Sequence, residues 1–233
     1  MKISVIVPTY NEKDNIAHLT EQIFKVAGQK GLDLELLIVD DNSPDGTGKI
    51  AEGLAKKYPM RVIHRNGKQG LGSAVLAGFR EAEGELLGVM DADLSHPPES
   101  IPALLEPLME GKADMTVGSR YVEGGKIAGM PKWRVAISRG ACLLASLLTP
   151  IRDPVSGFFF MRQEVIDGVE LQTTGFKICL EILVKGKGQR IEEVPYTFVN
   201  RLEGKSKLSF AEVKKYIVQI RDLRRFQQAR RDR

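Results

Sequence analysis

The sequence predicts an α/β fold on a mostly parallel sheet, and three observations carry that expectation. Short apolar runs alternate with amphipathic segments through the first 120 residues. The first two runs are almost continuously apolar, as strands covered on both faces are. Strand also alternates with helix rather than with strand, which is the order of a doubly wound sheet.

Taken in order, residues 3–7, 34–39, 61–64, 85–90 and 114–118 read as strands. Residues 14–27, 46–57, 70–82 and 99–110 read as the helices between them. Asp14 is the candidate N-cap of the first helix, with Ile16, Leu19, Ile23 and Val26 at helical spacing behind it. Residues 121–130 read as a loop, 133–148 as a helix, 158–161 as a short strand, 175–184 as a helix and 190–199 as a strand. A polar, Gly-containing loop over 200–209 precedes a last helix from Phe210. The run Phe158–Phe160 reads as core.

Composition narrows the class. Of 233 residues, 42% are hydrophobic and 27% charged, the balance of a folded globule rather than a disordered chain. No run of 18 apolar residues occurs, so no transmembrane helix is expected. The opening MKISVIVPTYNE turns polar after seven residues, too soon for a secretory leader. Cys142 and Cys179 have neither metal-ligand nor disulfide-framework spacing and read as free core thiols of a reducing compartment. A cytoplasmic protein is expected. The net charge is +4, but residues 211–233 carry eight basic side chains against three acidic ones. That end therefore nets +5 and the other 210 residues −1, which points to an anionic surface as partner. Nucleic acid is not expected, because no helix-turn-helix, zinc-finger or RNP pattern accompanies the charge.

In doubly wound sheets, ligands bind beyond the carboxyl ends of the strands, so the residues after each strand matter most. The first strand is followed by Pro8-Thr9-Tyr10-Asn11-Glu12, the second by Asp40-Asp41-Asn42-Ser43-Pro44-Asp45, and the fourth by Asp91-Ala92-Asp93. Asp and Asn are ordinary turn formers. An apolar strand leading straight into Asp91, however, delivers two carboxylates that repel one another unless a cation sits between them. Hard oxygen ligands suit Mg²⁺ or Mn²⁺. Gly70-Leu71-Gly72 is no dinucleotide fingerprint, since the third glycine arrives only at Gly78. No Walker A loop is present, and His18, His64 and His96 are too scattered for zinc.

Together, the blocks at residues 8–12, 40–45, Gly70-Leu71-Gly72-x-Ala74, Asp91-Ala92-Asp93-Leu94-x-His96-Pro97-Pro98 and Gly118-Ser119-Arg120-Tyr121 resemble inverting glycosyltransferase family 2, with its GT-A fold. Asp153-Pro154-Val155-Ser156-Gly157-Phe158 and Arg201-x-x-Gly204-x-Ser206-Lys207 look like the dolichyl-phosphate mannose synthases within it. The resemblance covers essentially the whole chain. It implies a GT-A catalytic domain over 1–209, divided into a nucleotide-sugar half (1–120) and an acceptor half (121–209). A basic amphipathic helix over 210–233 follows.

The resemblance implies transfer of mannose from GDP-mannose to dolichyl or another polyprenyl phosphate. A UDP-glucose-dependent relative, or a catalytically silent nucleotide-sugar-binding subunit, is the alternative. Pro8, Tyr10, Glu12, Val39, Asp41 and Ala92 would hold the nucleotide sugar. Asp91 and Asp93 would hold the metal. Ser95 stands where some members carry a Gln metal contact, and its shorter hydroxyl would reach the ion through a water. Arg120, Arg134 and Ser138 would hold the acceptor phosphate, and Arg201 and Lys207 would close over the diphosphate. A phosphate monoester, with its second pKa near ~6, is already ionised at neutral pH, so no general base is required. Arg139 shares a predicted helix with Arg134, and solvated surface is the plain reading of both.

In the last helix, Phe210, Val213, Ile217, Ile220, Leu223 and Phe226 recur at steps of three or four, flanked by Lys214, Lys215, Arg221, Arg224 and Arg225. The expectation is an interfacial helix on an anionic membrane, on the cytosolic face. Related enzymes continue into membrane-spanning helices or recruit small membrane-anchoring subunits; this chain resembles the second kind or a shortened chain of the first.

Overall fold

A computed structural model describes residues 1–172, 177–188, 190–200 and 210–232. Seven strands form one sheet in the order β3-β2-β1-β4-β7-β5-β8. β1 (Ile3–Thr9), β2 (Leu34–Asp40), β3 (Met60–His64) and β4 (Leu86–Val89) are parallel to their neighbours within that group, with Ile3 opposite Leu34 and also opposite Leu86. Every residue of β2 is buried, which is why it reads as one apolar run. The order reverses between β1 and β4, so the crevice beyond their carboxyl ends is the topological switch point.

Side chains alternate across this sheet. Val5 and Val7 pack on one side with α1 (Ile16–Lys30), α2 (Thr47–Ala55) and α4 (Ile101–Met109). Ile6 points the other way, against α3 (Leu71–Glu81) and α6 (Ile178–Lys185). A third apolar cluster joins α5 (Lys132–Ala145), α6 and α7 (Phe210–Arg231) through Cys142, Ala145, Leu180, Val184, Tyr216 and Leu223. Both cysteines are free and buried. Phe158, Phe159 and Phe160 are fully buried core, as the sequence implies.

The second half departs from the expected plan in three ways. β7 (Phe159–Arg162) runs antiparallel between β4 and β5 (Met115–Ser119). Gly88 of β4 faces Phe160 across this pair, and a Cβ there would collide with the buried ring, so glycine is required. The stretch expected as one strand over 190–199 is two. β8 (Ile191–Pro195) completes the large sheet, and β9 (Thr197–Val199) pairs with β6 (Lys126–Ala128) inside the segment expected to be a loop. Buried Tyr196 lies at the break between them. At α1, Asn15 rather than Asp14 flanks the helix; it makes no side-chain cap, and its amide donates to Glu12. Of the expected loop over 200–209, only Asn200 lies within the described residues.

Candidate functional site

A cavity of about 1460 Å³ opens at the switch point and extends between α5 and α7. It is lined by Pro8, Tyr10, Glu12 and Asp41 on one flank, Asp91, Ala92, Asp93 and Ser95 at its floor, and Arg120, Arg134 and Ser138 on the other. Residues from five separate stretches of sequence are thus brought together. Val39 is the exception: it is fully buried in the core beneath the crevice, so its side chain cannot reach a ligand.

The first flank is fastened by carboxylates. Asn11 adopts φ 61°, a conformation Asn tolerates, and its N–H donates to Ser43 Oγ at 3.0 Å. Asp40 accepts from Thr9 and Ser43, and Asp45 from Thr47 and the Lys13 N–H. These two of the three acidic residues after β2 therefore tie the first two strand-end loops to each other. Asp41 does reach the cavity, yet both its oxygens are already engaged. Arg65 Nη1 lies 2.7 Å from Oδ1, and the Gln69 and Gly70 N–H groups donate to Oδ2. Asp41 thus orders the loop that carries Lys68, whose ammonium lies 4.3 Å from the centre of the Tyr10 ring.

At the floor, the backbone itself is bent to present the carboxylates. Leu94 sits at φ 60°, a conformation that costs a bulky residue about 1–2 kcal/mol. That turn lets the Ser95 N–H donate to Asp93 Oδ1 at 3.0 Å. Ser95 Oγ is buried and, among the described residues, has no hydrogen-bond partner. Two carboxylates and an unsatisfied hydroxyl beside a cavity fit a divalent cation such as Mg²⁺ or Mn²⁺ that completes its shell with substrate oxygens. No group of three or more His, Cys, Asp or Glu side chains converges among the described residues, so a closed all-protein cage is not what this site offers.

His96, which has no zinc-ligand spacing to His18 or His64, braces this floor. Its Nδ1 accepts the Asp91 N–H at 3.0 Å, which leaves the proton on Nε2, 3.9 Å from Asp91 Oδ2. The ring stacks on Phe158 at 5.1 Å and meets Tyr196 and Phe198 edge-on. Burial pushes its pKa down, against the pull of Asp91 and Asp93, and so favours this neutral form. Gly157 completes the fit, since a Cβ there would crowd His96 Cε1 at 3.1 Å and Asp91 Oδ2 at 3.2 Å.

On the acceptor flank, Arg120 is not a loose cation. Its Nε and Nη2 grip the two oxygens of Asp153 at 2.7 Å each, and its own N–H donates to the same carboxylate. Asp153 is fully buried and Arg120 nearly so. Burial opposes the guanidinium charge, but Asp153 outweighs it and raises the Arg120 pKa. Arg134 and Ser138 stand one turn apart on α5 and so share a face. Arg134 donates to Asn200, and Ser138 accepts from the Tyr121 hydroxyl at 2.9 Å. Arg139 is exposed and stacks over Tyr121. Asn200 is tied to Ala128 and Gly129, and the Val199 N–H donates to the Ser95 carbonyl. The chain therefore leaves β9 beside the carboxylate floor. Arg201 and Lys207 lie outside the described residues.

Residues 4–169 match the family described as glycosyl transferase family 2, over well more than half the chain. The chain belongs to glycosyltransferase family 2. Within it, the chain is 49% identical over 224 residues to a dolichol-phosphate mannosyltransferase of Pyrococcus furiosus, covering 94% of this chain and 63% of that one. It thus spans less than two thirds of that relative's length. It is 42% identical to the dolichol-phosphate mannosyltransferase of Saccharomyces cerevisiae, covering 96% of this chain and 87% of the relative. Among solved structures, mannosyl-3-phosphoglycerate synthase from Rubrobacter xylanophilus superposes with a TM-score of 0.70 at 19% identity, covering 99% of this chain and 75% of that one. A mannosyltransferase from Pyrobaculum calidifontis, solved with GDP-mannose and Mn²⁺, superposes with a TM-score of 0.64 at 20% identity, over 94% and 61% of the two chains. These likenesses establish the GT-A fold expected of the family member.

Proposed function

We propose that this family 2 chain transfers a mannosyl group from GDP-mannose to dolichyl or another polyprenyl phosphate, with inversion at the anomeric carbon. The observation that carries the reading is one cavity with a carboxylate floor at the switch point and basic and hydroxyl groups on its far flank. The names of the relatives from Pyrococcus furiosus and Saccharomyces cerevisiae support the same donor and acceptor. Pro8, Tyr10 and Glu12 flank the nucleoside, while Asp41 holds the loop that bounds it. Asp91 and Asp93, with Ser95 beside them, would hold a divalent cation, which would supply charge compensation for the diphosphate. Arg134 and Ser138 receive the acceptor phosphate, and the neutralised Arg120–Asp153 pair frames it. An ionised phosphate oxygen attacks the anomeric carbon as the bond to the GDP oxygen breaks and its electron pair leaves with GDP. No proton need move at the nucleophile. Calorimetry with GDP-mannose and UDP-glucose, each with and without Mn²⁺, tests the donor. Metal-dependent binding of GDP-mannose alone is expected, and preference for UDP-glucose would overturn the mannosyl assignment.

The route to a lipid acceptor is read from the same two helices. Trp133, Ile137, Leu143, Leu144 and Leu147 of α5 and its C-terminal end are exposed, as are Val213, Ile217, Val218 and Phe226 of α7. Among the described residues no helix is long and apolar enough to cross a membrane. Apolar side chains of this kind, beside Lys214, Lys215, Arg221, Arg224 and Arg225, suit reversible binding to an anionic bilayer. The apolar residues of α7 expected as one stripe are in fact divided. Leu223 packs inward with Tyr216, whereas Val213, Ile217 and Phe226 stay outside.

A further inference from the structure

A hydroxyl inside a helix tends to turn back and donate to a carbonyl of the preceding turn. Three in this molecule do so. Thr20 of α1 donates to the Ile16 carbonyl at 2.7 Å, Ser73 of α3 to the Gly70 carbonyl at 2.8 Å, and Ser146, which closes α5, to the Leu143 carbonyl at 2.7 Å. Ser138, in the middle of α5, does not. Among the described residues its hydroxyl makes a single hydrogen bond, with the Tyr121 hydroxyl at 2.9 Å. A phenol is the more acidic of the two groups, so Tyr121 donates and Ser138 Oγ accepts. The hydrogen of Ser138 is thereby left without a protein acceptor, on a side chain that lines the main cavity.

Tyr121 itself stands behind that wall. It follows Arg120 at the end of β5, and its ring packs against the apolar cluster of α5, α6 and α7. It does not line the main cavity but a separate groove of about 530 Å³, together with Arg139 and Cys142. Two guanidinium groups flank the ring, Arg120 at 5.1 Å and Arg139 at 5.7 Å from its centre. Cations so placed polarise the phenol and strengthen its donation. Burial raises the Tyr121 pKa, against the Ser138 hydrogen bond and the Arg120 charge, so the phenol keeps its proton. Tyr121 is thus a standing donor that reaches the cavity only through Ser138.

We propose that Tyr121 is a positioning residue of the transfer: by donating to Ser138 Oγ it holds that hydroxyl away from its own helix and leaves its hydrogen for an oxygen of the acceptor phosphate. The proposal rests on the reading of Ser138 as an acceptor residue given above. A serine hydroxyl has one hydrogen and two lone pairs, so accepting from the phenol and donating to an anion are compatible. The two bonds in series also strengthen one another, and no proton is transferred.

The test is a double-mutant cycle in the full chain, with Tyr121→Phe, Ser138→Ala and the two combined. Turnover with GDP-mannose and a short-chain polyprenyl phosphate is measured beside GDP binding with Mn²⁺. Phenylalanine keeps the packed ring and removes only the donor. Tyr121→Phe should lower acceptor kcat/KM about three- to tenfold, mainly through KM, and leave GDP affinity within about twofold. In the Ser138→Ala background the same change should cost less than about twofold, because the group it positions is gone. Tyr121→4-aminophenylalanine, which keeps an N–H donor in place of the phenol, should recover part of the loss. Should Tyr121→Phe melt well below the parent, binding of inorganic phosphate to the GDP–Mn²⁺ complex at low temperature carries the test, with the same split between backgrounds expected. An equal loss in both backgrounds, or a matching loss of GDP affinity, would mark a merely structural side chain and overturn the proposal. A loss in Ser138→Ala with none in Tyr121→Phe would overturn it alone. Parent-like acceptor kinetics in Ser138→Ala would instead remove Ser138 from the acceptor site, and this proposal with it.

Discussion

The two halves of the molecule are built on different plans. Through β4, strands and helices alternate, every neighbouring strand pair is parallel, and each strand end delivers its own loop to the cavity. Beyond β5, an antiparallel strand is inserted into the sheet, one apparent strand becomes two in separate sheets, and two helices leave large apolar side chains outside. Their charged groups differ as well. Asp91, on the floor, is partly open to the cavity, whereas Arg120 and Asp153 are buried and matched to one another. Asp91 thus faces the cavity, whereas the Arg120–Asp153 pair holds the shape of the site. The same kind of substitution should therefore have different consequences in the two halves.

The largest effect separates them most clearly. Asp93→Asn should abolish turnover and metal-dependent nucleotide binding while the chain stays folded; near-normal activity would remove the floor from the donor site. Arg120→Ala, across the cavity, should instead act through stability, because it leaves Asp153 buried without its partner. A loss of about 3–5 kcal/mol in urea unfolding is expected. Replacing both partners with apolar residues of similar size should cost less than Arg120→Ala alone. If Arg120→Ala unfolds like the parent but binds acceptor poorly, the pair is functional first and the contrast between the halves fails.

His96→Phe probes the seam between them, since the ring comes from the floor and stacks on Phe158 of the second half. Phenylalanine keeps the stack and removes the acceptor for the Asp91 N–H. Mn²⁺ affinity should fall about 10–100-fold, the usual scale when a metal ligand loses its support. The smallest expected effect is at the membrane. Arg224 and Arg225 are exposed and leave the Leu223 anchor intact, so reversing both to Glu tests charge without stripping α7 from the domain. At about 1 kcal/mol per basic residue, co-sedimentation with anionic vesicles should fall severalfold per charge and weaken further with salt. Binding that ignores both would leave the exposed apolar residues of α5 as the anchor.

Legibility followed the same division. Asp91 and Asp93 were readable because β4 is a buried apolar run that ends abruptly in carboxylates, and a local pattern needs no knowledge of its neighbours. Asp40 and Asp45 share that local pattern but fasten loops instead, a distinction made by Thr9 and Lys13 arriving from the first strand and its loop. His96 stood in a block that resembles the family, but nothing local to it showed its bracing role. It matters through a ring stack with a residue 62 positions away in sequence.

By itself, then, the sequence determined the alternating half of the sheet, the switch-point loops and the carboxylate floor, because hydrophobic period and strand-end chemistry are local properties of the chain. Only the tertiary structure decided that the Val39 side chain is core, that Arg120 is already paired, and that β8 and β9 part at Tyr196. It also decided which residues of α7 face inward. A helix offers several apolar residues at compatible spacings, and the choice fell to Tyr216, Gln219 and Leu223 because α5, α6 and the Lys177 backbone present partners there. Burial and hydrogen-bond pairing are properties of two surfaces at once, and a single chain read in order shows only one of them.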